Sequence, residues 1–188
     1  MSKFHHATRL NMQAFAREGV ALIETTPLQN MERLVQEAQT IEPDLMLNWE
    51  ARAELRPGSG AEDDVWLHLL ATTSVPLTCQ RCMGTVATPL EVDQWYRFVA
   101  SEEIAMAEDD ESEEDLLVME PQFNLLAVLE DELLMALPLV PMHDECPVAP
   151  VMQAGEDALL GSSGEDEAPS GEKPHPFAVL AQLKKKSK

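Results

Sequence analysis

Between residues 44 and 100 the chain carries three strand-like stretches, DLMLNWEARAEL (44–55), DVWLHLLATTSV (64–75) and TVATPLEVDQWYRFVA (85–100), joined by RPGSGAEDD and by a short turn containing TCQRCMG. A parallel crossover needs a dozen or more residues, so connections this short force neighbouring strands to run antiparallel. Three such strands form a meander that must bury one face against something else. The flanking sequence supplies helices. TTPLQNMERLVQEAQ (25–39) offers Thr26 as cap, Pro27 at the first helical position and Gln29 in a capping-box pattern, with Leu28, Met31, Leu34, Val35 and Ala38 on one stripe and Pro43 as stop. FNLLAVLEDELLMALPLVP (123–141) has Asn124 as cap and Pro138 at its end, and its apolar positions nearly encircle it. Residues 1–24 give no firm element beyond a short strand in GVALIE after Gly19. The expected fold is α+β: a small antiparallel β-meander packed with two main helices, a long acidic loop and a flexible C-terminal tail.

Charge shapes the rest. The 188 residues hold 34 Asp and Glu against 13 Lys and Arg, a formal net charge of −21. Such a chain repels phosphate and anionic lipid; its charge either suits basic partners, such as ribosomal or other RNA-binding proteins, or serves only to keep the protein in solution. From 102 to 120 acidic residues, among them Glu108, Asp109, Asp110, Glu111, Glu113 and Glu114, occur with no Lys or Arg between them. Mutual repulsion predicts an open, mobile loop there. The order of calcium ligands in an EF-hand is absent. Glu130, Asp131 and Glu132 make a second acidic turn on the 123–141 helix, and both acidic groups are expected to face a partner. Residues 147–174 have the Pro, Gly, Ser and Glu bias of a linker, and 175–188 form a short helical docking motif with Phe177 and Leu180 on one side and Lys184, Lys185 and Lys186 at its basic end. The domain expectation is therefore one α+β unit over 1–146, a linker and a tail. No continuous apolar run marks a secretory leader or a membrane span, and the three cysteines are too few for a disulfide framework, so a reducing cytoplasm is expected.

Chemistry concentrates in the turn Cys79-Gln80-Arg81-Cys82-Met83-Gly84. Two cysteines separated by two residues can direct both sulfurs to one point, and Gly84 is expected to permit the tight turn. His143 and Cys146, again separated by two residues, would complete a Cys3His zinc set. Structural zinc, two reduced structural thiols and thiol exchange all remain open on spacing alone, although a redox pair normally begins a helix. Trp66, Trp95, Tyr96 and Phe98 read as packing residues, with Arg97 the one cation interleaved among them. The sequence has no GxGxxG, P-loop, HExxH or GxSxG, and no catalytic residue, small-molecule substrate or cofactor other than structural zinc is assigned.

Three blocks, LTCQRCMGTVATPLEVDQWYRF, NLLAVLEDELLMALPLVPMHDEC and HPFAVLAQLKK, occur in an order and spacing that resemble the bacterial YceD proteins, the large ribosomal RNA subunit accumulation proteins. The resemblance implies a non-enzymatic role in accumulation or processing of 23S rRNA and large-subunit assembly. The partners expected are a basic large-subunit ribosomal protein or a pre-ribosomal particle, with rRNA contacted indirectly. The alternative is direct rRNA binding through a local basic patch and the tail. The family's cysteines match Cys79 and Cys82, and Cys146 falls where many relatives carry a later one; no catalytic residue carries over.

Overall fold

The computed structural model describes residues 6–58 and 63–148. The tail with Phe177, Leu180 and Lys184–Lys186, and nearly all of the linker, therefore lie outside the described residues. Five strands, β1 (Ala21–Pro27), β2 (Met46–Arg56), β3 (Asp64–Thr78), β4 (Thr85–Val99) and β5 (Asp115–Val118), form one sheet in chain order. The first four are antiparallel neighbours, and β5 runs parallel to β4. Alternation sets the register. Val65, Leu67, Leu69, Ala71, Val75 and Leu77 of β3 point inward and are at most 5% exposed, while Trp66, His68, Leu70 and Thr72 point outward. A slip of one residue would exchange the two sets, so the core locks the pairing.

β3 and β4 outrun their neighbours. β2 pairs β3 only as far as Thr72, and β5 pairs β4 only from Tyr96 onward, so the far half of the β3–β4 hairpin is a two-stranded arm. Pro76 and Pro89 sit on that arm, where the missing amide faces no further strand.

Among the described residues, α1 (Met12–Glu18), α2 (Glu32–Glu37) and α4 (Leu125–Met135) contribute to the core on the inner face, while α3 (Glu102–Glu108), at the acidic end, buries no residue. In α1 the Asn11 side chain accepts the Ala14 amide and Gly19 closes the helix at φ 60°; Met12, Phe15 and Ala16 are buried. Leu125, Leu129 and Leu133 of α4 are fully buried, as is Leu34 of α2. Burying each such leucine stabilises the fold by about 2 kcal/mol.

The helix expected to start at Thr26 is shorter and begins later. Ala21–Pro27 is strand, Leu28–Asn30 is a 3-10 turn, and only Glu32–Glu37 is α-helical. Thr26 is drawn into the sheet because its hydroxyl accepts the buried Trp49 indole N–H at 3.0 Å, which removes it as a helix cap. The cap comes from elsewhere. The Glu130 carboxylate of α4 accepts the backbone amides of Arg33 at 2.7 Å and Leu34 at 3.2 Å.

The acidic segment also differs from the expected open loop: it holds α3, a 3-10 turn at Asp109–Glu111 and β5. One cation accounts for this. Arg97, on β4, donates to Glu114 at 2.7 Å, Glu108 at 2.9 Å and Ser112 at 3.0 Å. Burial works against its charge, but the bonds from Glu114 and Glu108 outweigh it and hold the guanidinium above its usual range. Carboxylates that would repel one another are thereby gathered around one fixed point.

Candidate metal centre and charged faces

At the tip of the hairpin arm the chain turns from β3 to β4 through Cys79–Gly84, with the Met83 amide bonded to the Cys79 carbonyl at 2.9 Å and the Cys79 amide to the Gly84 carbonyl at 2.8 Å. The left-handed residue is Met83, at φ 61°, and not Gly84. A Cβ on Gly84 would stand 3.6 Å from the Cys82 sulfur and 4.0 Å from His143 Cε1, an ordinary contact, so the turn does not demand glycine there.

The segment that follows α4 returns to this tip. The Gln80 amide donates to the Pro141 carbonyl at 2.9 Å, and the His143 amide donates to the Cys79 sulfur at 3.4 Å. This brings Cys79, Cys82, His143 and Cys146 together, with one ligand atom from each, all within 4.8 Å of one another. Two separations read as edges of a tetrahedron: Cys79 Sγ to Cys146 Sγ is 3.9 Å, and Cys82 Sγ to His143 Nδ1 is 3.4 Å. Zinc bonds of about 2.3 Å to sulfur and about 2.0 Å to nitrogen place tetrahedral donors about 3.5–3.8 Å apart. The other imidazole nitrogen, Nε2, lies 2.9 Å from the Thr85 carbonyl, which fixes the ring so that Nδ1 faces the sulfurs. Cys79 is fully buried, and Cys82, His143 and Cys146 are half-buried. All three thiols are free, and the turn joins two strands instead of opening a helix, so the setting of a thioredoxin-type pair is not met.

Local electrostatics favour thiolate at Cys79. Burial pushes the Cys79 thiol up, but the amides of Cys82, His143 and Arg81 more than offset it and lower the thiol to about 5. Burial and the sulfurs of Cys82 and Cys79 raise Cys146, against the pull of Arg81. A depressed Cys79 value means that, without metal, the unfolded chain binds the extra proton between about pH 5 and 9. Stability of the metal-free protein is expected to rise across that window and to fall as pH drops through about 5. Thermal melts with chelator from pH 4 to 9 measure it. Cys79→Ser removes the titrating group and should flatten this part of the profile.

The acidic residues divide into two groups. Glu130 accepts the α2 amides and Arg33 Nε at 3.0 Å, Asp131 bonds the same guanidinium, and Glu132 accepts the Tyr96 hydroxyl. Burial, then the Glu132 carboxylate, raises Tyr96 and keeps it protonated. Glu130, Asp131 and Glu132 are thus engaged within the fold. Glu108 and Glu114 are held by Arg97, whereas Asp109, Asp110, Glu111 and Glu113 are exposed. A cleft of about 710 Å³ runs between this ridge and Arg56, Asp64, Trp66 and Arg97.

Of the four aromatics expected to pack, Tyr96 and Phe98 do so, while Trp66 and Trp95 lie on the outer sheet face. Arg97 is not their only cation. The Arg56 guanidinium sits 4.3 Å from the Trp66 ring centre and 4.2 Å from that of Trp95, and His68 stacks on Trp95 at 4.2 Å. The sequence hid this because Arg56 comes from β2, across the sheet. Among the described residues no helix is long and apolar enough to cross a membrane.

Fold and site together define an α+β domain whose five-stranded sheet carries a four-donor Cys3His group at the end of a hairpin arm. Residues 67–184, more than half of the chain, match the family model described as large ribosomal RNA subunit accumulation protein YceD, and the chain belongs to that family. It is 40% identical over 121 residues to the large ribosomal RNA subunit accumulation protein YceD of Haemophilus influenzae, covering 60% of this chain and 61% of that relative. The chain thus spans less than two thirds of that relative's length. No solved structure matches the chain.

Proposed function

We propose that this protein supports accumulation and processing of 23S rRNA, and assembly of the large ribosomal subunit, as a non-enzymatic factor that binds a basic large-subunit ribosomal protein in the cytoplasm. The observation that carries the partner is the exposed ridge Asp109, Asp110, Glu111 and Glu113, fixed to the sheet by Arg97 on a chain of net charge −21. Long-range attraction would gather a Lys- and Arg-rich client and shield it from early RNA contact. The basic tail with Phe177, Leu180 and Lys184–Lys186 would add a second, weaker contact. The family described by rRNA accumulation supports the process. The reading also carries a structural zinc ion on Cys79, Cys82, His143 and Cys146, a scaffold part and not a reaction centre, favoured by the soft thiolate and imidazole donors.

Pull-down with the full chain from cell extract tests the partner. Basic large-subunit proteins should be enriched near 0.05 M salt and lost near 1 M, where the screening length falls to about 3 Å. Changing Asp109, Asp110, Glu111 and Glu113 to their amides should remove most of the enrichment. No large-subunit protein retained at low salt would end the client reading.

Direct RNA contact is a second reading, favoured by Arg56 over Trp66 and Trp95 on the outer face, an arrangement on which unpaired bases can stack. It ranks second because Arg52, Arg56 and Arg97 are each paired with carboxylates, Glu50, Glu54 and Glu114 respectively. Crosslinking to rRNA that survives removal of protein partners and is lost in Trp66→Ala/Trp95→Ala would reverse the order.

A further inference from the structure

We propose that Arg81 is the positioning residue of the Cys3His centre: its guanidinium balances the charge of the bound zinc and holds the Cys146 half of the ligand set against the hairpin turn. This rests on the zinc reading given above and adds to it a residue that is not itself a ligand.

The argument begins with charge. Three thiolates and a neutral imidazole around Zn2+ leave a net charge of minus one. That charge would lie at a half-exposed position of a protein already at −21, so a nearby cation stabilises the loaded state. Arg81 lies inside the turn, between Cys79 and Cys82, and its side chain reaches across to the other half, beside the backbone bond that the Gln80 amide makes to Pro141. Its Nε donates to the Cys146 sulfur at 3.1 Å. Its Nη2 donates to the carbonyls of His143 and, at 3.1 Å, Asp144. One rigid planar fork therefore grips the Cys146 sulfur at one end of the His143–Cys146 segment and two consecutive backbone carbonyls, those of His143 and Asp144, at the other. His143 is fixed independently through the Thr85 carbonyl, and its amide reaches the Cys79 sulfur, whereas the Cys146 sulfur, 3.9 Å from that of Cys79, takes a charged donor from Arg81 at 3.1 Å.

Outer partners of metal ligands typically affect affinity by about 10- to 100-fold. Arg81→Ala is expected to weaken zinc binding by about that factor, measured by chelator competition on the full chain. Arg81→Lys restores charge but not the fork, and should recover only part of the loss. Arg52→Ala, on the outer sheet face, removes the same charge far from the centre and should leave affinity unchanged. Cobalt substitution adds a spectroscopic readout: the tetrahedral thiolate spectrum of the wild type should broaden or shift in Arg81→Ala. A wild type that binds neither zinc nor cobalt defeats the zinc reading itself. A wild type that binds zinc while Arg81→Ala stays within about twofold of it, or while Arg52→Ala loses as much, overturns the role of Arg81 and leaves the zinc reading standing. If Arg81→Ala does not fold, Arg81→Lys decides, and wild-type affinity there is equally fatal.

Discussion

Stripping the zinc proposed for the Cys3His group from the full chain with a strong chelator is expected to lower its midpoint of thermal unfolding by about 10 °C. A ligand present at about a thousand times its dissociation constant stabilises by about 4 kcal/mol, and a domain of this size shifts by about 2–4 °C per kcal/mol. The effect should be local before it is global. The core of α1, α4 and the inner sheet face does not include the Cys3His group, so secondary structure should survive chelation. Amides that join the two halves, those of Gln80 and His143, should lose most of their protection from hydrogen exchange. Replacing Cys79 and Cys82 with serine should reproduce the chelated state and make the midpoint insensitive to added zinc. An unchanged midpoint in both experiments would show that the four donors stabilise nothing.

The second large effect is expected at Glu130. Its side chain is 12% exposed and satisfies two amides of a helix that has no cap of its own, besides pairing Arg33. Glu130→Ala leaves those donors unmet inside the fold and should destabilise it by about 3 kcal/mol. Glu130→Gln keeps an acceptor and should lose about half as much. Arg33→Ala leaves the capping bonds in place and should matter far less, because Arg33 is well exposed. Denaturant unfolding of the three variants measures this. Equal losses for Glu130→Ala and Arg33→Ala would mean that the ion pair, and not the cap, is what counts.

The parts of this molecule that were legible in its sequence are those set by neighbours in the chain. Strand alternation in 64–75 and 85–100, and the two-residue spacings of Cys79–Cys82 and His143–Cys146, are local signals and point to the sheet and to the ligand set. The encounter of the two ligand pairs is not local. It depends on the arm formed by β3 and β4 and on the path of the chain after α4. α1 too carries a local signal in its sequence, Asn11 before and Gly19 after an apolar turn. At Thr26 a sound capping pattern lost to a tertiary bond from Trp49. In 102–118 repulsion between carboxylates was real, but the cation that relieves it, Arg97, precedes the run. A window confined to the acidic residues could not contain the answer.

The carboxylate that α4 lends to α2 also has a bearing on the order in which the chain becomes native. An isolated helix of six residues is unstable in water, and this one waits for a side chain 97 positions away. Closing so long a loop must precede the helix, so α2 belongs to the last part of the chain to consolidate and the first to fray. During synthesis its residues emerge from the ribosome well before Glu130 does, and they remain unformed until α4 has followed them out.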